Sequence, residues 1–156
     1  MKVLSKLTGW ASLAIRGLDF LQPVVDLGAR LWLANVFWKS GMTKITTWDS
    51  TLSLFNYEYH VPLLPPEVAA VHATAVELGG SVLLALGLGG RFGTAALFIL
   101  NVTAAYSYPD LSDVGLKDHF YWGLLLLVFL LHGPGKLSID HLIRNRFMAN
   151  PQVRGN

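Results

Sequence analysis

The segment from Val68 to Leu88 constrains this chain more than any other. It has about the length a helix needs to cross a bilayer. Pro65-Pro66-Glu67 opens it, and Pro66 suits a first helical position. Gly87, Gly89, Gly90 and Arg91 close it. Glu77 sits near its middle, with His72 a turn and a half before it. Counted from Glu67, Glu77 lies about 15 Å along the helix, near mid-bilayer. A carboxyl at that depth is costly and usually faces other helices or a cavity. Thr74, Glu77 and Ser81, at i, i+3 and i+7, share its face.

Composition decides between a spanning helix and a buried core helix. The sequence is 53% hydrophobic and 14% charged, with mean hydropathy +0.45. Soluble domains carry about 25% charged residues, so this surface is too apolar for water. The length of 156 residues suits one domain. A net charge of +2 gives no footing for nucleic acid. With no cysteine, a disulfide, a thiolate metal site and a Cys nucleophile are all excluded. Any redox role needs a bound cofactor, a His or carboxylate metal site, or a partner.

Three further spans are predicted: Val24 to Met42 after a break at Pro23, Phe92 to Tyr106, and His119 to His132. Gly87 to Gly93 form a tight turn, since no strand precedes them and no Lys-Ser/Thr follows as in a phosphate loop. Gly133-Pro134-Gly135 stops the last span. Before the first span, Leu4, Leu7, Ala11, Ala14 and Leu18 make one stripe, the mark of an uncleaved amphipathic helix on the membrane surface. A second short helix, capped by Ser138, directs Ile139, Leu142, Ile143 and Phe147 to the membrane. In the long loop 45–66, Thr46-Thr47 can cap a helix aligning Trp48, Leu52 and Phe55. Trp48, Tyr57 and Tyr59 suit an interfacial aromatic belt.

The fold expected is therefore all-α, an integral membrane four-helix bundle with short amphipathic surface helices at the N- and C-termini. Residues 1–20 are the interfacial segment, 24–143 the membrane domain and 144–156 a basic tail. Lys2, Lys6, Arg16, Arg30, Arg91, Lys136, Arg144, Arg146 and Arg154 fall on one side of this arrangement, and Lys39, Lys44 and Lys117 on the other. The positive-inside rule puts both termini in the cytoplasm.

Among candidate functional residues Glu77 comes first, as a proton-exchanging group or as a carboxyl that holds helices together. Asn35 and Asn101 reach comparable depth and can hydrogen-bond it without neutralising it. Arg30, Ala34, Phe37, Gly41 and Lys44 share one face of the first span. Counted by depth, neither cation meets Glu77 unless helices tilt. Interfacial snorkelling is expected for Lys44 and an internal pairing for Arg30. His60, His72 and His119 belong to the outer half, but no histidine pair has the i, i+4 spacing of a helical metal site, so metal is not expected.

Three stretches in order resemble the DoxX family of small bacterial four-helix membrane proteins. They are Arg30-Leu31-Trp32-Leu33 with Phe37, Gly41 and Lys44; Glu77-Leu78-Gly79 with Leu86-Gly87-Leu88 and Arg91; and Gly133-Pro134-Gly135-Lys136-Leu137-Ser138-Ile139-Asp140. The resemblance implies a bacterial inner-membrane location and a link to redox work. The family's name is tied to a subunit of an archaeal thiosulfate:quinone oxidoreductase. On that footing the chain is expected to be the membrane subunit of a redox complex, with soluble or membrane redox partners besides the lipid bilayer. Quinone is the candidate cofactor, Glu77 the proton-exchanging residue, and Arg30, Asn35, Lys44, Asn101 and His72 the candidate ligand contacts. The alternatives are a non-catalytic anchor for soluble proteins and a transporter of a small solute or metal.

Overall fold

The computed structural model describes residues 2–147, the side chains of 2–9, 11 and 14 excepted. Six helices follow one another: α1 (Lys2–Thr46), α2 (Trp48–Tyr57), α3 (Pro66–Leu86), α4 (Gly90–Ser107), α5 (Asp113–His132) and α6 (Ile139–Phe147). No strand occurs among the described residues. The second half of α1 packs on α3, α3 on α4 and α4 on α5, with α5 touching α1. Two of these helices, α3 and α5, are long and apolar enough to cross a membrane. In α1 the charges Arg30, Lys39 and Lys44 interrupt the apolar run, and α4 is the shortest of the four long helices.

The first correction concerns Pro23. It does not break the chain, and α1 runs as one helix of 45 residues through it. Proline removes one ladder bond and crowds the preceding turn, at about 3 kcal/mol. No glycine or polar turn cluster adjoins Pro23 to exploit that, so the helix continues. The N-terminal surface helix expected as a separate piece is thus continuous with the rest of α1. Of its predicted apolar stripe only Leu18 has a described side chain, and it is exposed. Residues 148–156, with Arg154, lie outside the described residues.

One other boundary moves, and one expected cap is not made. α5 starts at Asp113 rather than His119, because the Ser112 hydroxyl accepts from Gly115 N at 3.1 Å and caps six residues expected as loop. α2 forms where expected, but Thr47 does not cap it. Its hydroxyl donates back to the Thr43 carbonyl at 2.9 Å instead. Trp48 and Tyr59 turn inward against Phe55, Ala69, Ala70 and Ala73 instead of joining a belt, and only Tyr57 faces out.

Other local rules hold. Arg30, Ala34, Phe37 and Gly41 are all buried along one face of α1, as the spacing predicts. Thr74, Glu77 and Ser81 are buried along α3. A central cluster of Leu33, Ala34, Phe37, Leu84, Leu97, Leu126 and Phe129 joins α1, α3, α4 and α5. Glycines set the closest approaches. A Cβ on Gly80 would come 2.7 Å from Leu97, and one on Gly93 2.7 Å from Leu83, so α3 and α4 are pinched together here.

The end of the bundle that carries the α3–α4 turn and α6 is the one the charge pattern expects on the cytoplasmic side, and it is called the inner end. Arg30, 2% exposed, donates to the carbonyls of Pro134 and, at 2.7 Å, of Leu137. Asp140 accepts from Gly89 N at 2.9 Å and Gly90 N at 2.7 Å, while its own N–H donates to the Gly87 carbonyl at 3.0 Å. Gly87 takes φ 62°, and a Cβ there would meet Ser138 at 2.6 Å. The Gly87 turn and the Gly133-Pro134-Gly135 stop, distant in sequence, therefore interlock. Ser138 caps α6 as predicted, accepting from His141 N at 3.2 Å.

Candidate functional site

The outer half of the bundle holds a cavity of about 700 Å³. α1 contributes Phe37, Ser40 and Lys44; α3 contributes His72, Ala73 and Glu77; α5 contributes His119 and Trp122. Small residues on α3 and α4, among them Ala69, Ala96 and Ala104, leave the space. Most of the wall is apolar, with polar groups in two clusters.

The first cluster is an ion pair. Lys44 Nζ donates to both carboxylate oxygens of Glu77, at 2.8 and 2.9 Å, and to Ser40 Oγ at 3.0 Å. Ser40 donates in turn to Glu77 Oε1 at 3.0 Å. The two charged side chains are only 18% and 9% exposed. This overturns the expectation that Lys44 snorkels outward and that no cation answers Glu77. Depth counting failed because the helices do not end flush. Gly41 lies level with Glu77, since a Cβ on it would approach the Glu77 Cβ to 3.1 Å. α1 stops at Thr46, about a turn and a half further, whereas α3 runs about three turns beyond Glu77 to Pro66. α2 packs into the step, with Thr51 donating to the Lys44 carbonyl at 3.1 Å.

The second cluster pairs α4 with α5. Asn101 Nδ2 donates to the His119 carbonyl at 2.8 Å, which leaves Asn101 Oδ1 facing His119 Nδ1 at 2.8 Å. In this network Nδ1 carries the proton and Nε2 is an acceptor. Trp122 holds the ring edge-on at 5.1 Å. Tyr59 also lines the cavity. Burial first, then Glu77, Tyr108 and Glu58, push its phenol above the ordinary value, so it stays a proton donor.

Of the candidates, Lys44, Glu77, Asn101 and His72 all line the cavity. Asn101 bonds His119 rather than Glu77. Arg30 is absent from it and serves the inner end. Asn35 is also absent, lying exposed in an outer groove with Leu31, Trp38, Ser81 and Val82. No group of three or more His, Asp or Glu close enough to hold a metal occurs among the described residues. Ser40 and Tyr59 were missed as site residues. The i, i+4 relation of Ser40 to Lys44 was the available signal for the first.

A family model described as DoxX matches residues 25–109. The chain belongs to the DoxX family. The matched residues run from the second half of α1 to just past α4 and include Ser40, Lys44, Glu77 and Asn101. The Gly133-Pro134-Gly135 stop lies outside them. An uncharacterized protein of Haemophilus influenzae is 30% identical over 122 residues, 74% of this chain and 80% of that protein. No solved structure matches.

Proposed function

We propose that this DoxX protein is a multi-pass protein of the bacterial inner membrane. In this reading it has both termini in the cytoplasm and binds a quinone in its outer cavity as the membrane subunit of a redox complex. The observation that carries the reading is the Lys44–Glu77 pair at the wall of a largely apolar cavity. A buried ion pair is a weak way to gain stability, because desolvation offsets its attraction. Its place beside empty volume favours a ligand with a polar head and an apolar body.

The donor set fits a quinone ring. Lys44, Ser40 and Tyr59 supply hydrogen-bond donors for a carbonyl oxygen, and Phe37 and Trp122 supply apolar wall. A bound quinone would supply two-electron, two-proton chemistry, its electrons coming from a redox partner. Glu77 and Ser40 hold Lys44 in place at the cavity wall, where a quinone oxygen would compete for its Nζ donors. Asn101 orients His119 so that Nε2 can accept a proton or a hydrogen bond.

Four long helices in a ring, two of them apolar enough to span, support the four-span arrangement. Arg30, Arg91, Lys136, Arg144 and Arg146 gather at the inner end, which supports cytoplasmic termini. α1 extends past that end with Trp10, Leu13, Leu18, Phe20 and Leu21 exposed, an apolar surface that favours contact with the inner face of the membrane.

A titration of the purified protein with a short-chain quinone tests the reading. At about 100 times Kd, ligand binding should add about 2.7 kcal/mol to stability, seen as a rise in Tm. The Lys44→Met/Glu77→Gln double variant should fold and show a much smaller rise. An equal rise in both proteins would sink the assignment of the pair to the ligand.

A further inference from the structure

The way into the cavity follows from which of its sides are closed. Toward the inner end, Gly80 and Gly93 bring α3 and α4 into contact, with Leu97 and Leu83 filling the crossing. Toward the outer end, Tyr59 stacks between Phe55 at 4.9 Å and Tyr108 at 5.1 Å. There the His60 N–H also donates to the Ser107 carbonyl at 2.7 Å, tying the loop before α3 to the end of α4. α1 and α5 close the remaining sides with Phe37 and Trp122, whose rings meet edge-on at 6.2 Å. The open side lies between the outer halves of α3 and α4. Its rim carries exposed His72 on α3 and Ile99, 65% exposed, on α4.

A second observation marks the same side. The loop segment Pro62–Leu64 overhangs the cavity and exposes apolar side chains. Leu63 is 100% exposed and has φ 70°, in the left-handed region that costs a non-glycine residue about 1–2 kcal/mol. In water this is an expensive way to present a leucine. Against acyl chains the exposed leucine is in its preferred surroundings.

We propose that the cavity is entered sideways from the bilayer, between α3 and α4 under the Pro62–Leu64 loop. It therefore takes a lipid-borne quinone whose apolar tail stays in this gap while its head reaches Lys44 and Glu77. The inference rests on the quinone reading above and adds the class of quinone: tailed and drawn from the membrane rather than water-soluble. It also gives Ile99, Ala96 and Thr103 the task of seating the tail.

The absence of native cysteine permits a reversible plug. Ile99→Cys, reconstituted in lipid nanodiscs, is labelled with a bulky aromatic thiosulfonate and later released with dithiothreitol. Occupancy by an isoprenoid-tailed quinone and by a tail-less benzoquinone is measured by extraction after overnight equilibration, with the unplugged variant as reference. Plugging should lower tailed-quinone occupancy by about tenfold, reversed by the reductant, and leave tail-less occupancy within about twofold. Tailed-quinone occupancy unchanged by the plug would overturn lateral entry and leave the quinone reading standing, and so would binding of the tail-less compound alone. Failure of the parent protein, with Ile99 in place, to bind either compound would remove the quinone reading and this inference with it.

Discussion

At the inner end, Arg30, Asp140 and the interlocked glycines fill the space between two loops. In the outer half, the same four helices leave about 700 Å³ between them. Both regions bury charge, but they use it differently. Arg30 directs its guanidinium to backbone carbonyls and, among the described residues, meets no carboxylate within hydrogen-bond reach, so its burial fixes loop geometry. Lys44 and Glu77 answer each other at the edge of a void, where a ligand can compete for their donors. A buried charge is thus no sign of a site by itself. What stands beside it, packed backbone or open volume, separates the two roles.

If this contrast is right, the inner end should be the more costly to disturb. Arg30→Met strips the Pro134 and Leu137 carbonyls of charge-assisted hydrogen bonds, each about 1.5–3 kcal/mol. A stability loss of about 3 kcal/mol or more is expected by thermal unfolding in detergent, with quinone binding retained by the protein that folds. Normal stability with lost binding would reverse the roles of the two regions.

The ion pair comes next. Glu77→Gln leaves Lys44 a partly buried cation without its counter-charge, which costs toward the low end of about 3–5 kcal/mol because Lys44 keeps some access to solvent. Adding Lys44→Met should recover most of that loss. The charge on Lys44 beside Glu77 is what makes the otherwise isosteric Glu77→Gln change costly. A single variant as stable as the parent, or a double variant worse than the single, would argue against a coupled pair.

The α3–α4 crossing should respond less. Gly80→Ala forces Leu97 to shift, at about 1–3 kcal/mol. By spreading the helices it should also weaken retention of a tailed quinone, measured by washing the immobilised protein. Ser40→Ala, which removes one donor to Glu77, should cost about 1 kcal/mol and be the smallest effect of the series. An effect larger than that of Glu77→Gln would give the hydroxyl a role beyond supporting the pair.

Much of the inner end was legible in the sequence. Glycines at turns and the Ser138 cap are read from single residues, and the buried face of α1 from spacing, because those rules are local. The convergence of Arg30 with Pro134 and Leu137 was not, since it depends on how two loops fold back. In the outer half, counting depth along each helix does not reveal the pairing of Glu77 with Lys44, because α1 and α3 do not end level. Asn101 was expected to serve Glu77 and serves His119, for depth fixes height and not direction around the helix. Asn35 shows the same limit, facing outward from a helix whose neighbouring Ala34 is buried. Pro23 looked like a boundary because proline is one in short soluble helices, whereas here the ladder on both sides carries the helix through.

If the Lys44–Glu77 wall holds a quinone, the protein should carry one with it out of the membrane. Protein purified in mild detergent would be extracted and its bound quinone quantified by mass spectrometry, for the parent and for Lys44→Met/Glu77→Gln of matched stability. The account predicts close to stoichiometric tailed quinone with the parent and little with the variant. No quinone in either, or the same amount in both, would contradict it.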